Sequence, residues 1–408
     1  MRITKPLIAV LVGLMLFGLL ATAQEQVSIH FLHAMKTTHS VYIDELVAQF
    51  MEEYPYITVT TEYGGSYGDV EQKVNAGIVA GNPPTVTQLY ENAITPIVDA
   101  LVPLGEHFTS LELADVIPGV LESATVNGIV YSMPWNKSIM ILYYRKDLIE
   151  TPPTTWQEFY DLAKELTVDL NEDEQIDRWG TILRPKNPEN FLNLLHQVGG
   201  TLLNEDWTAA TVNDAKGLQA MEYVASLIPY SIVGPEYESD YLAADQICMF
   251  ISTSAGAKYN VSAAETIGAE LGYALAPAGP ENAGTMVQGA NLVVLDRGQT
   301  EAQKEAGILF VKFMMRPQNL AYFCVNGNYM PPTYASLANK DWVTFVGEDE
   351  AKQVMTAAMA IGFGPLNHPA YSDFRYSMIT RYEEVLLEAS TPQQALDDLA
   401  ADFEQYLE

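Results

Sequence analysis

The chain has 408 residues, 48% of them hydrophobic, with 52 acidic against 21 basic side chains and a formal net charge of −31. That negative excess argues against nucleic acid or an anionic membrane surface as a partner, since both would be repelled. The length and apolar content suffice for two sizeable cores rather than one. The only cysteines, Cys248 and Cys324, lie in the apolar runs Ile-Cys-Met-Phe and Tyr-Phe-Cys-Val, as two buried thiols or one disulfide.

At the N-terminus, Arg2 and Lys5 precede an uncharged apolar run over residues 6–20 that is short for a membrane span. It ends in Ala21-Thr22-Ala23, the small-x-small pattern of a secretory cleavage site. Residues 1–23 are therefore expected to be a signal peptide, with the mature chain beginning near Gln24. No cysteine follows to carry a lipid anchor, so a soluble periplasmic, extracytoplasmic monomer is expected. An uncleaved anchor is the alternative.

Residues 27–32 alternate as a strand, and Ile43, Leu46, Val47, Phe50 and Met51 then form the stripe of an amphipathic helix. Residues 57–63 are β-branched and aromatic, and Asp69-Val-Glu-Gln72 reads as a capping box opening a helix through Ala80. A strand over 85–89 follows, ending at Tyr90-Glu91. Strand, helix, strand predicts two parallel strands, with Tyr67 and Glu91 beyond their carboxyl ends, where open α/β sheets bind ligands.

The next stretch, residues 131–144, reads as a long extended crossing between two lobes, with Pro134 dividing one strand from the next and Trp135, Asn136 and Ser138 on the floor of the cleft. Thr155-Trp-Gln-Glu158 opens a helix. Asp169, Asn171, Asp173 and Asp177 then have the spacing of a calcium loop, except that Glu174 replaces its glycine and Gly180 its closing carboxylate. The readings are bound calcium or a solvated acidic turn; no other cofactor is required. Beyond it, a strand over 246–251 runs into Ser252-Thr-Ser-Ala-Gly256, a hydroxyl-rich turn before a helix, suited to phosphate or sugar hydroxyls. Residues 291–295 form a further strand, Thr300-Glu-Ala-Gln303 caps a helix, and Tyr329-Met-Pro-Pro332 begins another crossing.

Gly64-Gly-Ser66-Tyr-Gly68 matches a nucleophile elbow, but only one strand precedes it and no oxyanion loop lies upstream. A secreted hydrolase using Ser66 or a carboxylate pair is the competing class. His30 and His33 would face opposite sides of a strand, a poor metal pair.

In order and spacing, Phe31-Leu-His33-Ala-Met35, Gly65-Ser-Tyr67, Tyr90-Glu91, Pro134-x-Asn136-x-Ser138, Ser254-Ala-Gly256, Gly289-Ala290, Gly327-x-Tyr329-x-Pro331 and Phe374-Arg375 resemble the extracellular solute-binding proteins of ABC importers, most closely the glycerol-3-phosphate-binding type. The resemblance implies an α/β, two-lobed periplasmic-binding-protein (Venus flytrap) fold with interleaved lobes and hinge crossings. Lobe 1 would comprise residues 24–134 and 285–328, lobe 2 residues 135–284 and 329–408. It also implies a non-enzyme that captures a small molecule (sn-glycerol 3-phosphate, a glycerophosphodiester or an oligosaccharide) for the membrane subunits of an ABC permease. The ligand contacts it implies are Tyr67, Glu91, Ser138, Ser254, Gly289, Tyr329 and Arg375, with Glu91 accepting from hydroxyls and Arg375 facing phosphate; Trp135 joins them as a stacking surface. One departure stands out: no tryptophan shortly precedes Glu189-Asn-Phe191, so the glycerol end lacks that stacking surface, and Arg184 or Lys186 in that segment is expected to widen or recharge the pocket instead.

Overall fold

A computed structural model describes residues 25–407; the segment 1–23, expected to be a signal peptide, lies outside the described residues. The chain opens with β1 (Val27–His33), α1 (Thr37–Glu53), β2 (Ile57–Tyr63), α2 (Tyr67–Ala80) and β3 (Val86–Tyr90). Strands β2 and β3 both pair parallel to β1, as the strand, helix, strand pattern requires. The helix between them starts earlier than its sequence suggests. Ser66 is the N-cap, its hydroxyl accepting from the Asp69 N–H while the Asp69 carboxylate accepts from the Ser66 N–H at 2.7 Å. Asp69 thus closes the capping box rather than opening one, with the Ser66 hydroxyl engaged as the cap.

β4 (Met133–Arg145) organises everything that follows. It is one continuous strand: Pro134 is its second residue, beside the bulge where the register shifts between Ala290 and Asn291, a position that tolerates a missing N–H. Its first half pairs with β7 (Thr285–Val294), and its second half with β5 (Met249–Thr253) and β6 (Leu271–Ala274). The sheet order is β6-β4-β7-β3-β1-β2, with β5 also on β4 and the short β8 (Gly362–Phe363) on β7.

The same strand changes cores along its length. Met133 and Trp135 pack with Phe31, Phe50, Phe310 and Phe323 in the first lobe. From Ile139 onward the alternation of a strand buried on both faces sends Met140, Leu142 and Tyr144 into one second-lobe layer and Ile139, Ile141 and Tyr143 into another. The first of these layers also takes α3 (Trp156–Leu166), α4 (Glu189–Gln197) and the C-terminal helices through Phe374, Tyr382, Leu396 and Phe403. β7 is a second crossing, and the backbone N–H of Met330 donates to the Lys137 carbonyl at 2.8 Å as a third. Cys248 and Cys324 are buried free thiols, and burial pushes Cys248 up to about 11.

Candidate functional site

Strand β5 ends at Ser252 and Thr253, and the turn Ser254–Gly256 leads into α5 (Ala257–Thr266). Small residues there let the helix start approach the end of the sheet, beside a cavity of about 630 Å³. Into this cavity face Arg184 and Lys186 after the short strand Thr181–Leu183, Gln288 of β7, Asn260 of α5, and Arg375 near the start of α6 (Tyr371–Leu386). Asn260 is 3% exposed and its Nδ2 has no partner among the described residues.

Three cations meet three anions here. Arg375 Nε donates to Glu189 Oε1 at 2.7 Å, and among the described residues nothing holds the two terminal nitrogens of its guanidinium. Arg184 Nη1 lies 3.4 Å from the Glu238 carboxylate, with its guanidinium 4.5 Å from the centre of the Tyr237 ring. Lys186 is exposed and unpaired among the described residues, and Asp240 accepts from the Tyr237 N–H at 3.2 Å. Arg184 and Lys186, expected to widen or recharge the pocket, share one cavity with Arg375.

The first-lobe side is aromatic and amide. Asn136 Nδ2 donates to the Tyr67 hydroxyl at 3.0 Å, and Gln88 Nε2 donates to Asn136 Oδ1 at 2.7 Å. Burial pushes the Tyr67 and Tyr329 phenols above their usual value, and the two hydroxyls interact. Tyr329 stacks on Phe323 with centroids 5.9 Å apart. Tyr90 donates to Gln288 Oε1 at 2.8 Å and Ser138 to the Gln288 carbonyl at 3.3 Å, so Gln288 links this wall to the cavity. Gln288 and Asn260 carried no motif that would have marked them, and Tyr90 stood in the motif Tyr90-Glu91 without a role of its own.

The remaining expected residues have other partners. Ser254 is 2% exposed and its hydroxyl accepts from the Ile139 N–H at 3.1 Å. Glu91 is buried against Lys137, which takes one of its oxygens. Trp135 requires correction: fully buried and stacked on Phe323 at 4.1 Å, it has no surface to offer a ligand. Gly289 pairs with Lys137, and a Cβ there would sit 2.1 Å from the Asn136 carbonyl oxygen, at a φ of +154°. Gly289→Ala should therefore separate the two crossing strands and cost about 1–3 kcal/mol or more, read from the denaturant midpoint. An unchanged midpoint would show that the approach is not tight.

The calcium set is not assembled. Both Asp169 oxygens accept backbone N–H groups of the loop, including Glu172 at 2.8 Å and Glu174 at 2.7 Å, while Asp177 accepts from the Leu170 N–H and from Asn171 Nδ2. Among the described residues no group of three or more His, Cys, Asp or Glu side chains is placed to hold a metal ion. The loop turns through Glu172 and Glu174 at positive φ and closes on itself. Among these residues too, no helix is long and apolar enough to cross a membrane.

Comparison with known proteins places this architecture. The chain is 27% identical over 424 residues to the sn-glycerol-3-phosphate-binding periplasmic protein UgpB of Escherichia coli (strain K12), covering 95% of this chain and 94% of the relative. Among solved structures it resembles the cyclic alpha-maltosyl-1,6-maltose binding protein of Arthrobacter globiformis, with a TM-score of 0.82 and 19% identity over 94% of this chain and 99% of that one. It also resembles UgpB from Mycobacterium tuberculosis in complex with glycerophosphocholine, with a TM-score of 0.75 and 18% identity over 93% and 98% of the two chains. A family model described as bacterial extracellular solute-binding protein matches residues 45–367. The chain accordingly belongs to the bacterial extracellular solute-binding protein family.

Proposed function

We propose that the protein is the extracytoplasmic binding component of an ABC importer and captures a glycerophosphodiester, or sn-glycerol 3-phosphate itself, for delivery to the permease. The observation that carries this reading is the Arg375 guanidinium, held at Nε by Glu189 and lining one cavity with Arg184 and Lys186, its terminal nitrogens without a partner among the described residues. In a chain of net charge −31 a phosphate needs such a local cluster.

Two further features favour the diester. Glu189, Glu238 and Asp240 balance the three cations, a field suited to a monoanion or zwitterion rather than a dianion. A volume of 630 Å³ corresponds to about 20 liquid waters, more than glycerol phosphate alone would displace. The Escherichia coli relative named for sn-glycerol-3-phosphate and the Mycobacterium structure with glycerophosphocholine support the same class. The second reading, an oligosaccharide, draws on Tyr237 and Tyr259, which line the cavity at 66% and 72% exposure as stacking surfaces, and on the maltose-type binding proteins among the structural relatives.

A thermal-shift panel separates these readings. Glycerophosphocholine at a hundred times its dissociation constant should add about 2.7 kcal/mol to the folded state, with a smaller shift for glycerol-3-phosphate and none for maltose. The ligand should be recovered unchanged, as from a non-enzyme. A shift with maltose alone would transfer the assignment to the oligosaccharide, and recovery of hydrolysed ligand would reinstate the hydrolase.

A further inference from the structure

Immediately behind the cavity wall lies a buried ion pair. Lys137 is fully buried on β4 between Asn136 and Ser138. Its ammonium donates to Glu91 Oε1 and, at 2.7 Å, to Oδ1 of Asn291 on β7, whose Nδ2 donates to Ser132 Oγ at 2.9 Å. Ser123 donates to the same Glu91 oxygen at 3.1 Å. Glu91 Oε2 has no hydrogen-bond partner among the described residues. Gly289, which pairs with Lys137, directly follows the cavity residue Gln288, and Glu91 directly follows Tyr90, which bonds to Gln288. The pair thus connects to the cavity through Gln288, Lys137 by way of Gly289 and Glu91 by way of Tyr90.

A carboxylate in the wall of such a site has two effects: it repels ligand phosphate, and it accepts ligand hydroxyls through charge-assisted hydrogen bonds. Lys137 cancels the first and takes Oε1, while Oε2 is buried with the rest of the side chain, so neither oxygen is presented to the ligand space. Burial raises the Glu91 carboxyl against the pull of Lys137, Ser123 and the Gly289 N–H, and lowers the Lys137 ammonium against the pull of Glu91, as expected for two charges that depend on each other in a dry setting.

We infer that Lys137 is a specificity-determining positioning residue: by holding Glu91 it withdraws that carboxylate from the ligand, so that the first-lobe wall recognises its ligand through Tyr67, Asn136 and Tyr329 and does not read glycerol-type hydroxyls with an anionic acceptor. This inference rests on the phosphate-ligand reading for its affinity arm only.

The affinity arm compares glycerol-3-phosphate with propyl phosphate, which lacks both hydroxyls, by calorimetric titration of wild type, Lys137→Ser, Glu91→Gln/Lys137→Ser and Glu91→Gln/Lys137→Met. Wild type should discriminate weakly. Lys137→Ser, which frees Glu91, should favour the hydroxylated ligand about tenfold or more beyond wild type, and both double variants should return to the wild-type ratio. A wild type that already discriminates tenfold and loses this in the Glu91→Gln/Lys137→Met variant would overturn the inference, as would an unchanged ratio in Lys137→Ser. A role in stability alone moves both affinities together and leaves the ratio fixed.

The second arm needs no ligand. Carbodiimide labelling of carboxylates in the ligand-free protein, read by mass spectrometry against exposed Glu52, should find Glu91 protected in wild type and several-fold more reactive in Lys137→Ser. Equal protection would overturn the inference. If neither phosphate compound binds wild type while the labelling contrast holds, the ligand reading fails and the withdrawal of Glu91 by Lys137 stands. Should Lys137→Ser not fold, the Glu91→Gln/Lys137→Met variant, which leaves no unpaired charge, still decides through the titration.

Discussion

Replacing Trp135 by alanine should lower the unfolding free energy by about 3–5 kcal/mol, the usual cost of removing a large buried aromatic and leaving its cavity. The ring has no exposed surface and lies between Phe323, on which it stacks at 4.1 Å, and Phe31, which meets it edge-on at 6.2 Å. It supports the site from behind, because Phe323 in turn stacks on Tyr329. Affinity should therefore fall less in this variant than when a cavity cation is removed. Trp135→Phe should be much milder, since the indole N–H is a buried donor without a partner among the described residues, and its loss offsets part of the lost packing. Denaturant midpoints of the three proteins test this. A Trp135→Ala midpoint equal to wild type, with a large loss of affinity, would return the ring to the cleft.

The misplacement of Trp135 shows where local sequence information ends. A strand buried on both faces does not announce which face borders a ligand, and in β4 Trp135 and Asn136 point to opposite sides by the period of the strand. The parallel run of β2 and β3, the caps at Thr155 and Thr300 and the crossing role of residues 131–144 were all legible, because each follows from local chemistry or from a single chain connection, whereas the place of β1 between β2 and β3 was not. The box at Asp69 was misassigned because Asp69 fits as N-cap and as N3, and only the backbone decides between them. The calcium spacing was legible as a pattern, but the loop's own N–H groups take the carboxylates.

At the site, order and spacing marked Tyr67, Tyr329 and Arg375, and the fold places the tyrosines on one wall and the arginine in the cavity. Lys137 was passed over as the variable position between Asn136 and Ser138. Its partner Glu91 lies 46 residues away, and a buried lysine is intelligible only once that carboxylate is folded against it. Arg184 and Lys186 were legible as residues that recharge the pocket, but their grouping with Arg375 is tertiary, since α6 must first bring Arg375 to Glu189 of α4.

Arg375→Ala should reduce the affinity for a phosphate ligand by about two orders of magnitude or more, through two effects of the same sign. The variant loses the charge-assisted donors that the terminal guanidinium nitrogens present. It also leaves Glu189, only 6% exposed, as an uncompensated carboxylate facing the anion. Adding Glu189→Gln removes the second effect alone, so the double variant should recover part of the loss and divide it between lost attraction and new repulsion. Arg375→Lys should fall between wild type and alanine, because an ammonium keeps the charge but cannot hold Glu189 through one nitrogen while offering two others to a phosphate. Titration at low and at physiological salt gives a further check. Arg375 is about one-third exposed, so a Coulombic contribution should weaken with ionic strength in wild type and weaken less in Arg375→Ala. If Arg375→Ala binds the phosphate compounds as wild type does, the anion is held elsewhere, and Arg184 and Lys186 become the next positions to replace.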